Sequence, residues 1–410
     1  MKTLKTMLAT TAICAAGAAH AVDLEVTHWW TSGGEAAAVA EFARAFNEKT
    51  DHNWVDGAIA GSGGTARPIM VSRIIGGDPM GAFQFNHGRQ AEELIEAGLL
   101  RDLTDIAEAE GWRDVIYPSS LLDSCTLDGR IYCVPVNIHS WQWLWLSNKA
   151  FEDAGVAVPT NWDEFVAASD ALRAAGKVPL ALGGQSWQAS GAFNVLMVAL
   201  AGPDVLVDIY GNKNAELAAG EEMARVFKAA ADARAMSQGS SVQDWNQATN
   251  LVITDQAGGQ IMGDWAQGEF QVAGEVAGED YTCLPGLGVN ALIDTAGDAF
   301  YFPVVDDPEV QQAQAELASL MVSPEVQVAF NLKKGSLPIR GDVDLAAAND
   351  CMKKGLDILA AGNTLPAVTQ LNTEDTNNQL NDLFVEFFND TSITPEDAQA
   401  RFVDIVASSD

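Results

Sequence analysis

The chain has 410 residues and a formal charge of −33. That surplus repels phosphate backbones and excludes nucleic acid as a partner. A chain of this length exceeds one comfortable hydrophobic core, so two lobes are expected.

The chain opens with Lys2 and Lys5, an apolar run from Met7 to Ala18, and Ala19-His20-Ala21 as a small-x-small cleavage site. This pattern predicts a secretory signal peptide over residues 1–21. Thr11-Ala12-Ile13 ahead of Cys14 lacks a lipoprotein box, so the expectation is a periplasmic, non-lipidated protein starting near Val22. Loss of the two leader lysines makes it more acidic still, which favours a soluble monomer. Four cysteines then remain, Cys125, Cys133, Cys283 and Cys351, and an oxidising compartment allows three pairings. Cys125–Cys133 with Cys283–Cys351 is favoured. Asp128-Gly129 signals a hairpin, yet a two-residue turn would set Cys125 opposite Tyr132, so that bridge calls for a bulge or a longer loop. No Cys/His cluster has metal-ligand spacing, and neither a metal nor a cofactor is expected.

Leu24 and Val26 alternate as in a strand, and Val39, Phe42, Ala43 and Phe46 recur at helical spacing. Between them, His28, Trp29 and Trp30 stand at the carboxyl end of a strand, where ligands bind in open α/β sheets. Ser32-Gly33-Gly34-Glu35 also fits a capping box. Trp54 to Ala60 reads as a second strand, closed by Gly61-Ser62-Gly63-Gly64, and a helix is predicted over Ala66–Ile75. Ala82 to Phe85 forms another strand, ending in Asn86-His87, and helical patterns run from Arg89 to Glu110. Trp141, Trp143 and Trp145 alternate with Gln142, Leu144 and Leu146, a strand in which at least two rings should be buried. A helix follows Thr160-Asn161. The strand Val178 to Leu182 leads into Gly183-Gly184-Gln185-Ser186-Trp187-Gln188, a third polar and aromatic strand edge. Leu380, Leu383, Phe384, Phe387 and Phe388 form an apolar helical stripe. Strands alternating with helices predict a mostly parallel α/β architecture.

These edges, in this order, resemble the extracellular solute-binding proteins of ABC sugar importers, of the glucose/mannose periplasmic type. The resemblance spans essentially the whole mature chain. It rests on Trp29-Trp30 with Glu35, Gly61-Ser62-Gly63-Gly64, Phe83-Gln84 with His87, Val134 to His139, Pro159 to Phe165, Gly183 to Gln188, Gly263-Asp264-Trp265-Ala266 and Lys334 to Arg340. It implies a two-lobed periplasmic-binding-protein fold of type II, with sheets flanked by helices and a hinge crossed more than once. The implied lobes are residues 22–135 plus about 291–335, and residues 136–290 plus about 336–410.

On that pattern Trp29, Trp30, Glu35, His87, Trp265, Asp298 and Lys334 look like sugar-contacting positions. Trp187 joins them from the third edge, and Gln370 falls where the family commonly carries a second histidine. His139 is followed by Ser140-Trp141-Gln142, where Arg and Asn are more usual. Indole faces stack on sugar C–H faces, and charged groups bond hydroxyls strongly. Asp298 has a second reading as a turn residue, and Lys334 as a cation at a helix C-terminus. The implied partners are a neutral sugar and an ABC permease, with no catalytic residues. The competing function is a secreted glycoside hydrolase, since acids and tryptophans in one cleft would suit it too.

Overall fold

The computed structural model describes residues 21–409; the expected signal peptide lies outside the described residues apart from Ala21. Leu24 and Val26 do alternate into the core from the strand Asp23–His28, the second strand of a five-stranded sheet. In spatial order its strands are Asn53–Ala58, Asp23–His28, Ala82–Asn86, Asp298–Tyr301 and Cys133–Pro135. A second sheet holds, in order, Tyr281–Pro285, Trp143–Ser147, Ala257–Ile261 and Val178–Leu180.

Both sheets are mixed rather than mostly parallel. The first three strands of the amino-terminal half pair in parallel, as strands joined by crossover helices must. The strand Asp298–Tyr301 runs antiparallel to both of its neighbours. It reaches the first sheet by coming back from the second, so it enters in the opposite sense. Trp143–Ser147 is likewise antiparallel to both of its neighbours. The two sheets belong to two lobes, and the chain passes from the first sheet to the second after Pro135 and back after Pro285. The stretch that follows Lys334 is held by bridges from Leu337 to Ile138 and from Arg340 to Ile116.

The helices on either side use their expected apolar faces. Phe42 of helix Gly33–Lys49 stacks on Phe330 of helix Pro324–Lys334 with centroids 4.3 Å apart. The carboxyl-terminal stripe packs Phe384 of helix Glu374–Asn389 on Phe193 of helix Ser186–Ala201, centroids 4.0 Å apart. The helix expected from Ala66 begins earlier, at Ser62, because Gly61 takes a φ of 103° and turns the chain directly into it. The run from Arg89 to Glu110 is broken into short pieces, with Gly98 at a φ of 68° ending one of them. That conformation is cheap only for glycine and stops a helix.

Where the lobes meet, two helices touch backbone to backbone. A Cβ added to Gly34, at the start of helix Gly33–Lys49, would fall 2.6 Å from the carbonyl carbon of Gly268 in helix Ala266–Ala273. The Gly34 amide also donates to Glu269 Oε1 at 2.7 Å.

Both favoured disulfides are present, Cys125–Cys133 and Cys283–Cys351. The hairpin around Asp128-Gly129 keeps its two-residue turn, and Tyr132 N donates to Cys125 O. No bulge is needed, because the chain leaves the hairpin at Tyr132 and Cys133 starts a strand of the large sheet, with its Cα 5.1 Å from that of Cys125. The second bridge closes 68 residues and ties strand Tyr281–Pro285 to helix Asp350–Ala360. Chain-entropy reasoning assigns about 4 kcal/mol to a loop of that length and about 2.5 kcal/mol to the short one. Urea denaturation should therefore find Cys283→Ser/Cys351→Ser more destabilised than Cys125→Ser/Cys133→Ser, and the reverse order would contradict this account.

Candidate functional site

A cavity of about 490 Å³ lies between the lobes, within the range typical of small-molecule sites. Strand ends and helix starts of both lobes deliver its walls. The loop after strand Asp23–His28 supplies Trp29, and the helix that follows supplies Glu35. The last turn of helix Pro324–Lys334 supplies Lys334, and strand Asp298–Tyr301 begins with Asp298. The opposite side carries Trp141, Trp187, Trp245 and Trp265.

These rings form one cluster. Trp265 meets Trp141 edge-on at 5.0 Å and His139 at 5.1 Å, and Trp141 meets Trp187 at 5.4 Å. Room for them comes from glycine: a Cβ at Gly191 would strike the Trp141 ring at 2.3 Å, and one at Gly263 would strike Trp265 at 2.1 Å. Of the alternating tryptophans, Trp143 and Trp145 are buried as expected, and Trp141 turns its ring to the cavity.

The floor is charged and ordered. Lys334 Nζ donates to Glu35 Oε1 at 2.6 Å, with both side chains buried. The ammonium also sits 5.6 Å from the Trp30 ring centroid and 5.7 Å from that of Trp265, within cation–π range. Burial pushes the Glu35 carboxyl above its usual range, against the pull of Lys334. The capping box expected around Glu35 does not form: Ser32 makes no side-chain bond to the helix amides and donates instead to Glu35 Oε2 at 3.3 Å.

Asp298 accepts from Gln84 Nε2 at 2.7 Å and Asn137 Nδ2 at 2.9 Å, and its Oδ2 lies 3.1 Å from His139 Nδ1. Burial alone would raise its pKa, but His139, Lys334 and Asn137 outweigh this and hold the carboxyl below the usual range. Asp294 accepts from Trp141 N at 2.8 Å, and burial raises it. Asp264 accepts from Ser140 N at 2.9 Å and is raised well up by burial.

Two contacts span the mouth, and a third, between Arg67 and Trp29, lies on one side of it. Trp187 Nε1 donates to Ser62 Oγ at 3.1 Å, Arg67 pairs with Glu374 at 3.0 Å, and the Arg67 guanidinium lies 6.0 Å from the Trp29 centroid.

Of the site residues expected from sequence, Trp29, Glu35, Trp187, Trp265, Asp298 and Lys334 come together in this cavity. Trp30, His87 and Gln370 do not line it. Trp30 is 1% exposed and packs on Phe300 and Phe330; successive residues of an extended segment point to opposite sides, so Trp29 takes the cleft and Trp30 the core. His87 is fully buried behind the floor, with Nδ1 2.7 Å from Ser124 Oγ. Ser124 Oγ donates to Leu121 O, so His87 Nδ1 carries the proton and its Nε2 is left without a partner. Gln370 folds its Oε1 back onto Ala367 N at 3.1 Å and faces a separate hollow beside Ser124 and Tyr301. His28, delivered by the same strand end as Trp29, is buried against Asp56 at 2.7 Å.

Residues not singled out from sequence also line the cleft, among them Asn86, Gln142, Asp244 and Asp294. Asn86 was legible as a strand end. Two helix faces were legible as well: Trp187, Ser190, Gly191 and Asn194 on one, and Glu374, Asn377, Asn378 and Asn381 on the other, each at one-face spacing.

Residues 30–327 match the family described as bacterial extracellular solute-binding protein, and the chain belongs to that family. A probable sugar-binding periplasmic protein of Brucella melitensis is 38% identical over 365 residues, covering 87% of this chain and 86% of the relative. One from Rhizobium meliloti is 36% identical over 361 residues, covering 88% and 86%. Among solved structures, a chitin oligosaccharide binding protein superposes with a TM-score of 0.77 at 20% identity, over 94% of this chain and 98% of that one.

Two outcomes follow from the residues behind the wall. Trp30→Ala should cost about 3–5 kcal/mol as a core cavity, read as a lowered urea midpoint; an unchanged midpoint would mean that the ring is not packed as described. Burial, followed by the repulsion of His139, pushes the His87 pKa from 6.5 down to about 3. The unfolded chain therefore binds a proton that the folded one refuses, and stability falls as pH drops from about 6.5 towards 3. Between pH 7.5 and 4.5 that loss is about 2.7 kcal/mol. His87→Gln should flatten the acid limb of stability by this amount in parallel denaturation series, and superimposable pH slopes would refute it.

Proposed function

We propose that this protein is a periplasmic receptor that captures a neutral sugar between its lobes and hands it, unaltered, to an ABC permease. The lobes would be residues 22–135 with about 291–335, and 136–290 with about 336–410, a division supported by the membership of the two sheets. One observation carries the reading: indole rings from both lobes surround a floor in which Lys334, Glu35 and Asp298 are held in fixed polar pairs. Rings suit the C–H faces of a pyranose. The remaining hydrogen-bonding capacity of the floor suits its hydroxyls, and a sugar lacking one hydroxyl leaves a buried group unpaired.

Ligand bridging both lobes favours the shut state, since only there are both sets of contacts made. The shut form is then what the permease recognises. Export through the leader would place the receptor in the periplasm, as a monomer with a strongly acidic surface. The names of the relatives support the sugar and the transport role. A glycoside hydrolase fits less well. It needs one acid free to give a proton and another free to attack or to activate water, whereas Glu35 is committed to Lys334, and Asp298 to Gln84, Asn137 and His139.

Titrating the purified protein with hexoses and pentoses while following tryptophan fluorescence, then recovering the sugar, tests both parts. A saturable change with intact sugar is expected; hydrolysis with turnover would overturn the receptor reading. Trp29→Ala should weaken binding about tenfold or more, equivalent to 1.4 kcal/mol, and wild-type affinity would remove the ring from the site.

A further inference from the structure

The cavity continues from the aromatic cluster along one face of each of two helices. Helix Ser186–Ala201 lines it with Trp187, Ser190, Gly191 and Asn194. Helix Glu374–Asn389 lines it with Glu374, Asn377, Asn378 and Asn381. Both sets follow the i, i+3, i+4, i+7 spacing of a single helix face. Each stripe runs about 10 Å at 1.5 Å per residue, longer than a single pyranose ring.

The two ends of this groove differ in chemistry. The near end holds the indoles and the ionic pairs Lys334–Glu35 and Arg67–Glu374. The far end is walled by carboxamides with apolar Leu206 and Val368. Its polar groups are set out for a ligand. Asn194 is buried, and its Oδ1 accepts from the buried Tyr210 hydroxyl at 2.8 Å, which fixes the amide so that Nδ2 is the group left for the cavity. Among the described residues, the side chains of Asn378 and Asn381 have no hydrogen-bonding partner. A carboxamide both donates and accepts and carries no charge, so three of them match hydroxyls rather than a carboxylate, a phosphate or an ammonium.

We propose that Asn194, Asn378 and Asn381 form a second subsite that holds the second unit of a neutral disaccharide, while the first unit sits among the tryptophans. The inference rests on the sugar-receptor reading above and narrows its substrate class. A disaccharide would span the groove from Trp265 to Asn381. A monosaccharide would fill the near end and leave the asparagines to water.

Calorimetric titration of the full mature chain with D-glucose, D-mannose, D-galactose and D-xylose, and with maltose, cellobiose and lactose, provides the test. At least one disaccharide should bind about tenfold tighter than either of its constituent sugars. Asn378→Ala/Asn381→Ala changes only exposed and half-buried positions. It should erase that margin and leave monosaccharide affinity and the thermal midpoint within error. Equal affinity for single and paired sugars, or a margin that survives the double substitution, would overturn the second subsite while leaving the receptor reading intact. Failure of every sugar to bind would overturn both.

Discussion

The arrangement depends on one buried carboxylate. Asp298 stands at the point where the chain re-enters the first sheet, and it takes donors from strand Ala82–Asn86 through Gln84 and from the outgoing crossover through Asn137 and His139. Its own amide returns a bond to Asn137 Oδ1 at 2.7 Å. A charge at that depth is tolerated only because its lone pairs are filled and cationic character lies close by. Losing any one donor would leave part of it unpaired, so the network fixes the crossover against the sheet. His139, held by this carboxylate, in turn sets the edge against which Trp265 packs. Order in the aromatic wall thus descends from an electrostatic requirement beneath it.

Much of the site could be read from residues and spacing, because strands that end in polar and aromatic residues deliver them to one rim. What spacing could not decide was which of two neighbours faces the ligand. Trp29 and Trp30 are chemically identical, and only the sheet behind them determines that one ring lines the cleft and the other seals the core. The same holds for Asn86 and His87. Gln370 escaped because its loop folds the amide onto local backbone, a contact with no periodic signature. The mixed sheets were hidden for another reason. Alternation of strands and helices predicts parallel pairing within a lobe, but a strand returning from the other lobe arrives reversed. The carboxyl-terminal helix was read for Leu380, Leu383, Phe384, Phe387 and Phe388 alone, so its polar face, equally periodic, went unremarked.

Most of the chain's acids lie outside the cleft, although Asp244, Asp294 and Asp298 line it beside the two that are ion-paired. Within it, Glu35 is matched by Lys334, and Glu374 by Arg67. The bulk of the surplus lies on the solvated exterior, where it governs solubility and association. In the cleft, by contrast, the ion pairs and the hydrogen-bonded Asp298 offer an uncharged solute polar groups that are already held in place. Surface and interior serve separate ends, although both are built from the same acids.

The contact of Gly34 with Gly268 carries a consequence of its own. At this point the two helices are spaced by no side chain at all. One methyl group on Gly34, next in sequence to the carboxylate that Lys334 holds, would act as a wedge against the backbone of Gly268 and Glu269. How closely these two helices approach is thus set by two missing carbon atoms.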